Sequence, residues 1–399
     1  MHAQHRRLIA VTFSLLGLQV GVRAVQWADV AVVLRLSPEQ LGISAGAGAA
    51  AGIVTLTAGA FLIDRVGRRP LLLVGLVGAG ISFVANALVA DYVQFLVACV
   101  AYGLLISFLD LAANAIASDF ERFTGEESMI GFHSWFSLAA ALGALLSAVG
   151  SVFGAGFQPA FAVLGVALIV AGLWTLRRPL PPVTRAESTG DEIPGPGSVR
   201  LPATVLLAVA IVFLCFFGDG ILETFLAVLV RHDAGAQTWL SGLTIAVFHL
   251  ASWLGRSISQ RVVTRWGDRS VLLGAGLMSA LVMVASLWLV DGWIATLGFG
   301  LVGFALSPIV PLGMSLAGRF APAGTEGRAI GLTNGVGYTA FIVSPVVAGW
   351  VAGQASITWG VGLAALTMAG VSLAALALPT SSGSRGVRTS RGGNRVRGG

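Results

Sequence analysis

Long apolar runs separated by short polar loops make up most of the chain. Twelve of them can be counted, at 8–27, 41–63, 70–90, 93–117, 129–152, 159–176, 203–230, 239–259, 271–290, 293–317, 328–353 and 356–378. An α-helix needs ~20 apolar residues to cross the hydrocarbon core of a bilayer. Backbone polar groups in lipid must be satisfied within the segment, which favours helices for such runs. The pattern predicts an all-α membrane protein with twelve transmembrane helices. Apolar residues are 56% of the chain and charged residues 11%, so little sequence remains for a soluble domain.

The runs divide into two groups of six. After Trp174-Thr175-Leu176-Arg177-Arg178 the chain carries Pro179, Pro181, Pro182, Pro194 and Pro196 among mixed charges. Such a stretch neither continues a helix nor buries a core, so it reads as a linker. The expected organisation is an N-terminal six-helix bundle over 1–176, a linker over 177–202 and a C-terminal six-helix bundle over 203–378. A Ser-, Gly- and Arg-rich tail over 379–399 has no apolar periodicity and is expected to be disordered. The halves also read as repeats. Asp64-Arg65-Val66-Gly67-Arg68-Arg69 follows the second run, and Thr264-Arg265-Trp266-Gly267-Asp268-Arg269 follows the eighth.

Charge then orients the chain. It has no lysine, and 21 of its 24 arginines fall in segments that share one side if the N-terminus is cytoplasmic. Arg256 is counted among those 21. Arg23, Arg35 and Arg231 lie near the other side. Retention of positive charge in the cytoplasm accounts for this bias and places both termini inside. The first run follows His5-Arg6-Arg7 and resembles a signal peptide, but cleavage would leave eleven spans and invert the bias. The net charge of +6 suits topology and anionic head groups rather than nucleic acid. Cys99 and Cys215 sit in different halves and read as small buried residues, not as a disulfide or metal site. Trp27, Trp239, Trp288, Trp293, Trp350 and Trp359 fall near outer span ends, where interfacial anchoring explains them.

Residues 60–72, Ala-Phe-Leu-Ile-Asp-Arg-Val-Gly-Arg-Arg-Pro-Leu-Leu, resemble the loop between helices two and three of the major facilitator superfamily. The pattern there is G-x-L-x-D-R-x-G-R-R/K-x-x-L, and only Ala60 departs from it. The resemblance implies that Asp64, Arg65, Gly67, Arg68 and Arg69 form a conformational motif, with ion pairs and helix caps made in one state and broken in the other. Residues 107–143 and the span through Gly337-Tyr338-Thr339-Ala340-Phe341 and Pro345 are similar to the fucose-permease-like branch. Asp110, Asn114, Glu121, Arg122, His133, Phe136 and Ser137 fall on that branch's pattern. Arg23 and Gln26 stand where the branch has a W-x-x-R pattern. In span seven Asp219 is retained, while Thr224 takes the place of a second acid with Glu223 just before it. The resemblance implies a monomeric transporter working by alternating access, with spans one, four, seven and ten lining a central cavity.

Ionisable residues within the spans are the candidate site. A charge in hydrocarbon costs ~2.5–3.5 kcal/mol even on the mildest insertion scale, so each needs a cavity or a partner. Asp110 and Asn114 are one turn apart and share a helix face. Asp110 suits proton coupling, the alternative being a structural pair with Arg23. Asp219 and Glu223 repeat the spacing in span seven. Asp219 is assigned to the cavity, and Glu223 either to the cavity or to an extracellular helix end. His133 is read as a relay, a substrate donor or a gate at a helix end. His249 with Trp253, and Asn334 with Tyr338, are one-turn pairs that suit a substrate platform or a helix–helix hydrogen bond.

These readings predict a secondary transporter of a small polar solute, sugar-like or another metabolite, coupled to protons in the bacterial cytoplasmic membrane. The alternatives are proton-antiport efflux, and a non-transporting sensor. The efflux branch usually carries glycine–proline in span five, and 129–152 has no proline. No nucleotide-binding loop, nucleophile–base pair or metal cluster is legible, so neither enzyme activity nor a cofactor is expected. The topology is tested by reporter fusions after Arg185 and at the C-terminus. Both should give cytoplasmic signals; a periplasmic signal at either point removes the twelve-span arrangement.

Overall fold

The computed structural model describes residues 2–126, 128–183, 201–232, 236–289, 291–322 and 324–379. Most of the 177–202 linker, with Arg185 and Arg200, the tail after Pro379 and the side chain of Asp64 lie outside the described residues. Within them the chain forms α1 His2–Val33, α2 Pro38–Val66, α3 Arg68–Ala87, α4 Tyr92–Thr124, α5 Met129–Val152 and α6 Phe157–Thr175. The second half forms α7 Ala203–His232, α8 Thr238–Trp266, α9 Asp268–Trp288, α10 Gly292–Leu306, α11 Ile309–Phe320, α12 Glu326–Gln354 and α13 Ile357–Leu376. No strand occurs among the described residues.

Among the described residues eleven segments are long and apolar enough to cross a membrane, with α10 and α11 counted together as Gly292–Phe320. The twelfth position is filled by α8. This helix is 29 residues long and packs between α5 and α10, but its arginines dilute its apolar character. The tenth apolar run is not one helix. Pro308 lacks a backbone N–H and its ring clashes with the carbonyl one turn earlier, and the helix restarts at Ile309. Large apolar side chains cover the outside, as lipid-facing helices require. Trp288, Trp293, Trp350 and Trp359 are exposed there. Trp27 departs from the expected belt: it is buried, against Phe95.

The repeat seen in the two glycine turns extends through both halves with an offset of 200 residues. Gly67 has φ 90° and ψ 165°, and Gly267 has φ 79° and ψ 157°. Each ends one helix and opens the next in a left-handed conformation that side chains disfavour. Each donates its N–H back, to the carbonyls of Ile63 and Val263. Asp91 and Asp291 cap α4 and α10 through their carboxylates, supplying acceptors for orphan N–H groups. Arg69 donates to the carbonyl of Leu176, and Arg269 to that of Leu376. Arg68 Nε donates to Asp119 Oδ2 at 2.8 Å. At the matching place Arg319 donates to Asp268, so the second half makes the same bridge with its charges exchanged.

The halves meet along two seams, α2 with α12 and α5 with α8. A Cβ on Gly42 would come within 2.2 Å of the carbonyl oxygen of Pro345, and one on Gly242 within 2.8 Å of Ala148. Small residues therefore let the backbones touch, which is how membrane helices gain packing without a hydrophobic driving force. These contacts lie at the end where α2 begins and α12 finishes. At the opposite end Gly327, Gly331 and Gly335 of α12 and Gly131 of α5 face open space. The seams are closed at one end and splayed at the end carrying the Gly67 and Gly267 turns.

The exchanged bridges generate a test. Asp119 is 1% exposed and Arg68 14%. Without Arg68 the Asp119 carboxylate keeps Arg122 at 3.9 Å. Arg68→Ala should lower stability by ~3 kcal/mol, the cost of stranding a buried charge. The double change Arg68→Asp with Asp119→Arg should recover most of the loss, because the second half holds the bridge in that order. Thermal denaturation in detergent measures both; a double variant no better than the single ones would sink the equivalence.

Candidate substrate and coupling site

Between the two seams the mid-span polar residues gather on the inner faces of α1, α4, α5, α7, α8 and α12. Packing fixes which way α4 turns. Ser107 and Leu109 lie against the glycines of α2 and α3, so Asp110 points the other way. It is half-exposed although mid-helix. Asn114 Nδ2 donates to Asp110 Oδ1 at 2.8 Å and to its carbonyl at 2.9 Å. No basic side chain pairs with Asp110 among the described residues. Across the space, Tyr338 of α12 lies within electrostatic reach of Asp110 and hydrogen-bonds Asn334. Its ring stacks on Phe216 of α7, with centroids 5.7 Å apart. The Asp110–Asn114 and Asn334–Tyr338 pairs thus face one space from opposite halves.

Arg23 does not pair with Asp110. Its guanidinium lies over the rings of Trp27 and Tyr102, at 4.3 and 4.6 Å from their centroids. Tyr102 in turn donates to Gln19. The acid within electrostatic reach of Arg23 is Glu223 of α7. The reason is the repeat: 23 and 223 are equivalent positions in the two halves. Positions 23 and 223 thus carry opposite charges in the two halves, and Glu223 feels the charge of Arg23. Glu223 is therefore inside the bundle and not at a free helix end. Gln26 is buried, its side-chain oxygen without a hydrogen-bond partner among the described residues.

The α5–α8 seam holds the other polar group. His133 of α5 is exposed to the open end and meets Phe13 edge-on at 5.0 Å. His249 and Trp253 follow one another on α8, with His249 buried against Phe248 and Trp253 half-buried. Arg256, counted above as a loop arginine, belongs to this face. It is half-buried and donates from Nη1 to Ser137 Oγ of α5 at 2.6 Å. Asp219, His133 and His249 are all within its electrostatic reach. Counting by topology hid it. The available signal was its register, three residues after Trp253 and seven after His249, on one helix face.

At the closed end Asp29 of α1 ties three helices together. Its Oδ1 accepts from Arg231 of α7 at 3.0 Å and its Oδ2 from the Phe157 N–H at the start of α6 at 2.8 Å. Cys99 and Cys215 are buried free thiols. No cluster of metal-ligating side chains occurs among the described residues.

Known proteins agree with this architecture. The profile of the Major Facilitator Superfamily matches residues 8–339 and, in a second alignment, 208–396. The chain belongs to the Major Facilitator Superfamily. It is 28% identical over 283 residues to an uncharacterized MFS-type transporter of Yersinia pestis, covering 71% of this chain and 72% of that one. It is 26% identical over 281 residues to an uncharacterized transporter of Sinorhizobium fredii, covering 69% and 72%. Among solved structures, the nucleoside transporter NupG superposes with a TM-score of 0.75 at 13% identity, covering 94% of this chain and 98% of that one. The D-xylose-proton symporter superposes with a TM-score of 0.69 at 17% identity, covering 93% and 97%. A bacterial homologue of the lysosomal transporter Spinster, inward-facing and unoccupied, gives 0.71 at 14% identity, covering 94% and 95%. The two-bundle fold is that of these transporters, and the protein is a multi-pass membrane protein.

The closed end gives a graded prediction. Charge-assisted hydrogen bonds contribute ~1.5–3 kcal/mol each. Asp29→Asn weakens both of its bonds, whereas Arg231→Gln spares the one to Phe157 and the favourable placement of an anion at a helix start. Asp29→Asn should therefore lower the melting temperature more than Arg231→Gln. The reverse order would show that the tie to α6 contributes little.

Proposed function

We propose that this protein is a proton-coupled secondary transporter of a small polar solute, working by alternating access in the bacterial cytoplasmic membrane. The observation that carries the reading is Asp110: a mid-span carboxylate on the open space, hydrogen-bonded to Asn114 and without a cationic partner among the described residues. A carboxylate in such a place is costly when ionised, and taking up a proton relieves the cost. The other two cavity acids differ. Glu223 feels the positive charge of Arg23, and Asp219 that of Arg256, neither as a direct ion pair among the described residues. Three acids against two arginines leave one carboxylate to carry a proton, and Asp110 is the one without a cation.

The packing supports alternating access. Closed seams at one end and splayed seams at the other expose the polar cavity to one side. Rocking the halves against each other would open the Asp29–Arg231 end and bring the Gly131 and Gly327 ends together. The arginine-rich side is the open one, so we assign the conformation as open to the cytoplasm. Asp64, Arg65, Gly67, Arg68 and Arg69 sit at the end of α2 and start of α3, away from the cavity, and serve this movement rather than solute contact. The similarity to a xylose–proton symporter and a nucleoside transporter supports a polar solute. The chain works as a monomer, with lipid around it.

Asp110→Asn mimics the protonated acid with little change of shape. It should abolish proton-driven accumulation in proteoliposomes while exchange between preloaded vesicles remains measurable and loses its pH dependence. Accumulation against a gradient with normal pH dependence would move coupling to another group, Asp219 first. Loss of exchange and binding together, in a folded protein, would make Asp110 a solute ligand instead.

A further inference from the structure

The transport reading leaves the chemistry of the solute open, and Arg256 narrows it. A guanidinium offers five N–H donors in a rigid plane shaped to meet a carboxylate with two parallel bonds. Arg256 uses one nitrogen, on Ser137 at 2.6 Å. Among the described residues no carboxylate lies within ion-pair distance of its guanidinium, and no other hydrogen bond engages that group. Asp219 acts on it from α7 without reaching it. An arginine of this kind inside a span is expensive unless an anion or water meets it. It faces the open end of the cavity, on the seam between the halves. His133 and Ser137 stand opposite on α5, and His249 and Trp253 flank it on α8.

We propose that Arg256 seats the carboxylate of the transported solute, with Ser137 and His133 completing the seat from the other half. The solute class is a small organic monoanion on a polar skeleton. The charge count sets the valence. Asp219 stands near enough to oppose a second negative charge, so a phosphate dianion fits poorly where a single carboxylate fits. The position also gives the anion a mechanical effect. A carboxylate held by α8 on one side and α5 on the other adds to the Arg256–Ser137 bond that already joins the halves there, and so favours closing the end beyond it. The inference rests on the transport reading for the word solute, but the anion seat is tested separately.

The test uses matched acid and neutral pairs: D-glucuronate with D-glucose, L-lactate with 1,2-propanediol, and benzoate with benzamide. Each is titrated at constant ionic strength against the purified full-length protein, followed by melting temperature, since a ligand of the folded state raises it. At least one acid should give a saturable rise that its neutral partner does not. Arg256→Gln should weaken that acid about tenfold or more, as expected for loss of a charge-assisted pair. Asp219→Asn should tighten it several-fold by removing the competing carboxylate, a gain that a merely structural arginine does not produce. If Arg256→Gln fails to fold, Ser137→Ala, which leaves every charge in place, should weaken the acid a few-fold. A wild-type protein that responds to none of the acids, or equally to the neutral partners, overturns the proposal, as does an unchanged response in Arg256→Gln. Counterflow in proteoliposomes separates the two readings. Saturable binding of an acid that never exchanges across the bilayer keeps the anion seat and overturns transport. Exchange of a neutral partner with no response to its acid keeps transport and overturns the seat.

Discussion

The cost of placing charge in hydrocarbon organises this molecule. Every ionisable side chain at mid-span needs a partner or a wet surface, and the bundle offers such a surface only between its halves. Asp110, Asp219, Glu223 and Arg256 come from three different helices, α4, α7 and α8, that meet across the halves, while Arg23 of α1 is held by the rings of Trp27 and Tyr102. The outward faces can then be wholly apolar. Toward the closed end the seams are made of small residues. Gly42 on Pro345 and Gly242 on Ala148 show the consequence, backbone in contact with backbone.

Repetition decides how the charges meet. Two similar six-helix units face each other, so any residue beside the axis meets its own counterpart. Identical residues there would place like charges together. The chain has Arg23 in one half and Glu223 in the other, and the electrostatic influence between them is attractive. The peripheral bridges show the same freedom: Arg68–Asp119 and Arg319–Asp268 occupy equivalent places with the signs exchanged. What the repeat holds fixed is the place of an ion pair and the left-handed turn beside it; the order of the charges can vary.

Sequence reading and tertiary structure divide along physical lines. The spans, the two-half plan and the Gly67 and Gly267 turns follow from local properties: hydrophobic length, and a glycine between two helices. The one-turn spacings of Asp110 with Asn114, Asn334 with Tyr338, and His249 with Trp253 are likewise local, because a helix places i and i+4 on one face whatever surrounds it. The break at Ser307-Pro308 was legible in principle from the proline but was masked by the unbroken apolar run around it.

Partnership across helices was decided only by the tertiary structure. Position along the spans leaves a structural pair with Arg23 open as the alternative role for Asp110. The fold instead brings Arg23 to Glu223, 200 residues away, and leaves Asp110 to Asn114. Trp27 reads as an interfacial anchor by its position near a span end, but helix rotation turns it inward onto Phe95. Arg256 reads as a topology signal by its distance from the end of an apolar run, and only the packing of α8 on α5 shows that it enters the cavity. In each case the deciding quantity is the rotation of a helix about its own axis and the identity of its neighbour. Hydropathy along one helix constrains neither, since inside a bundle the lipid face and the protein face are equally apolar.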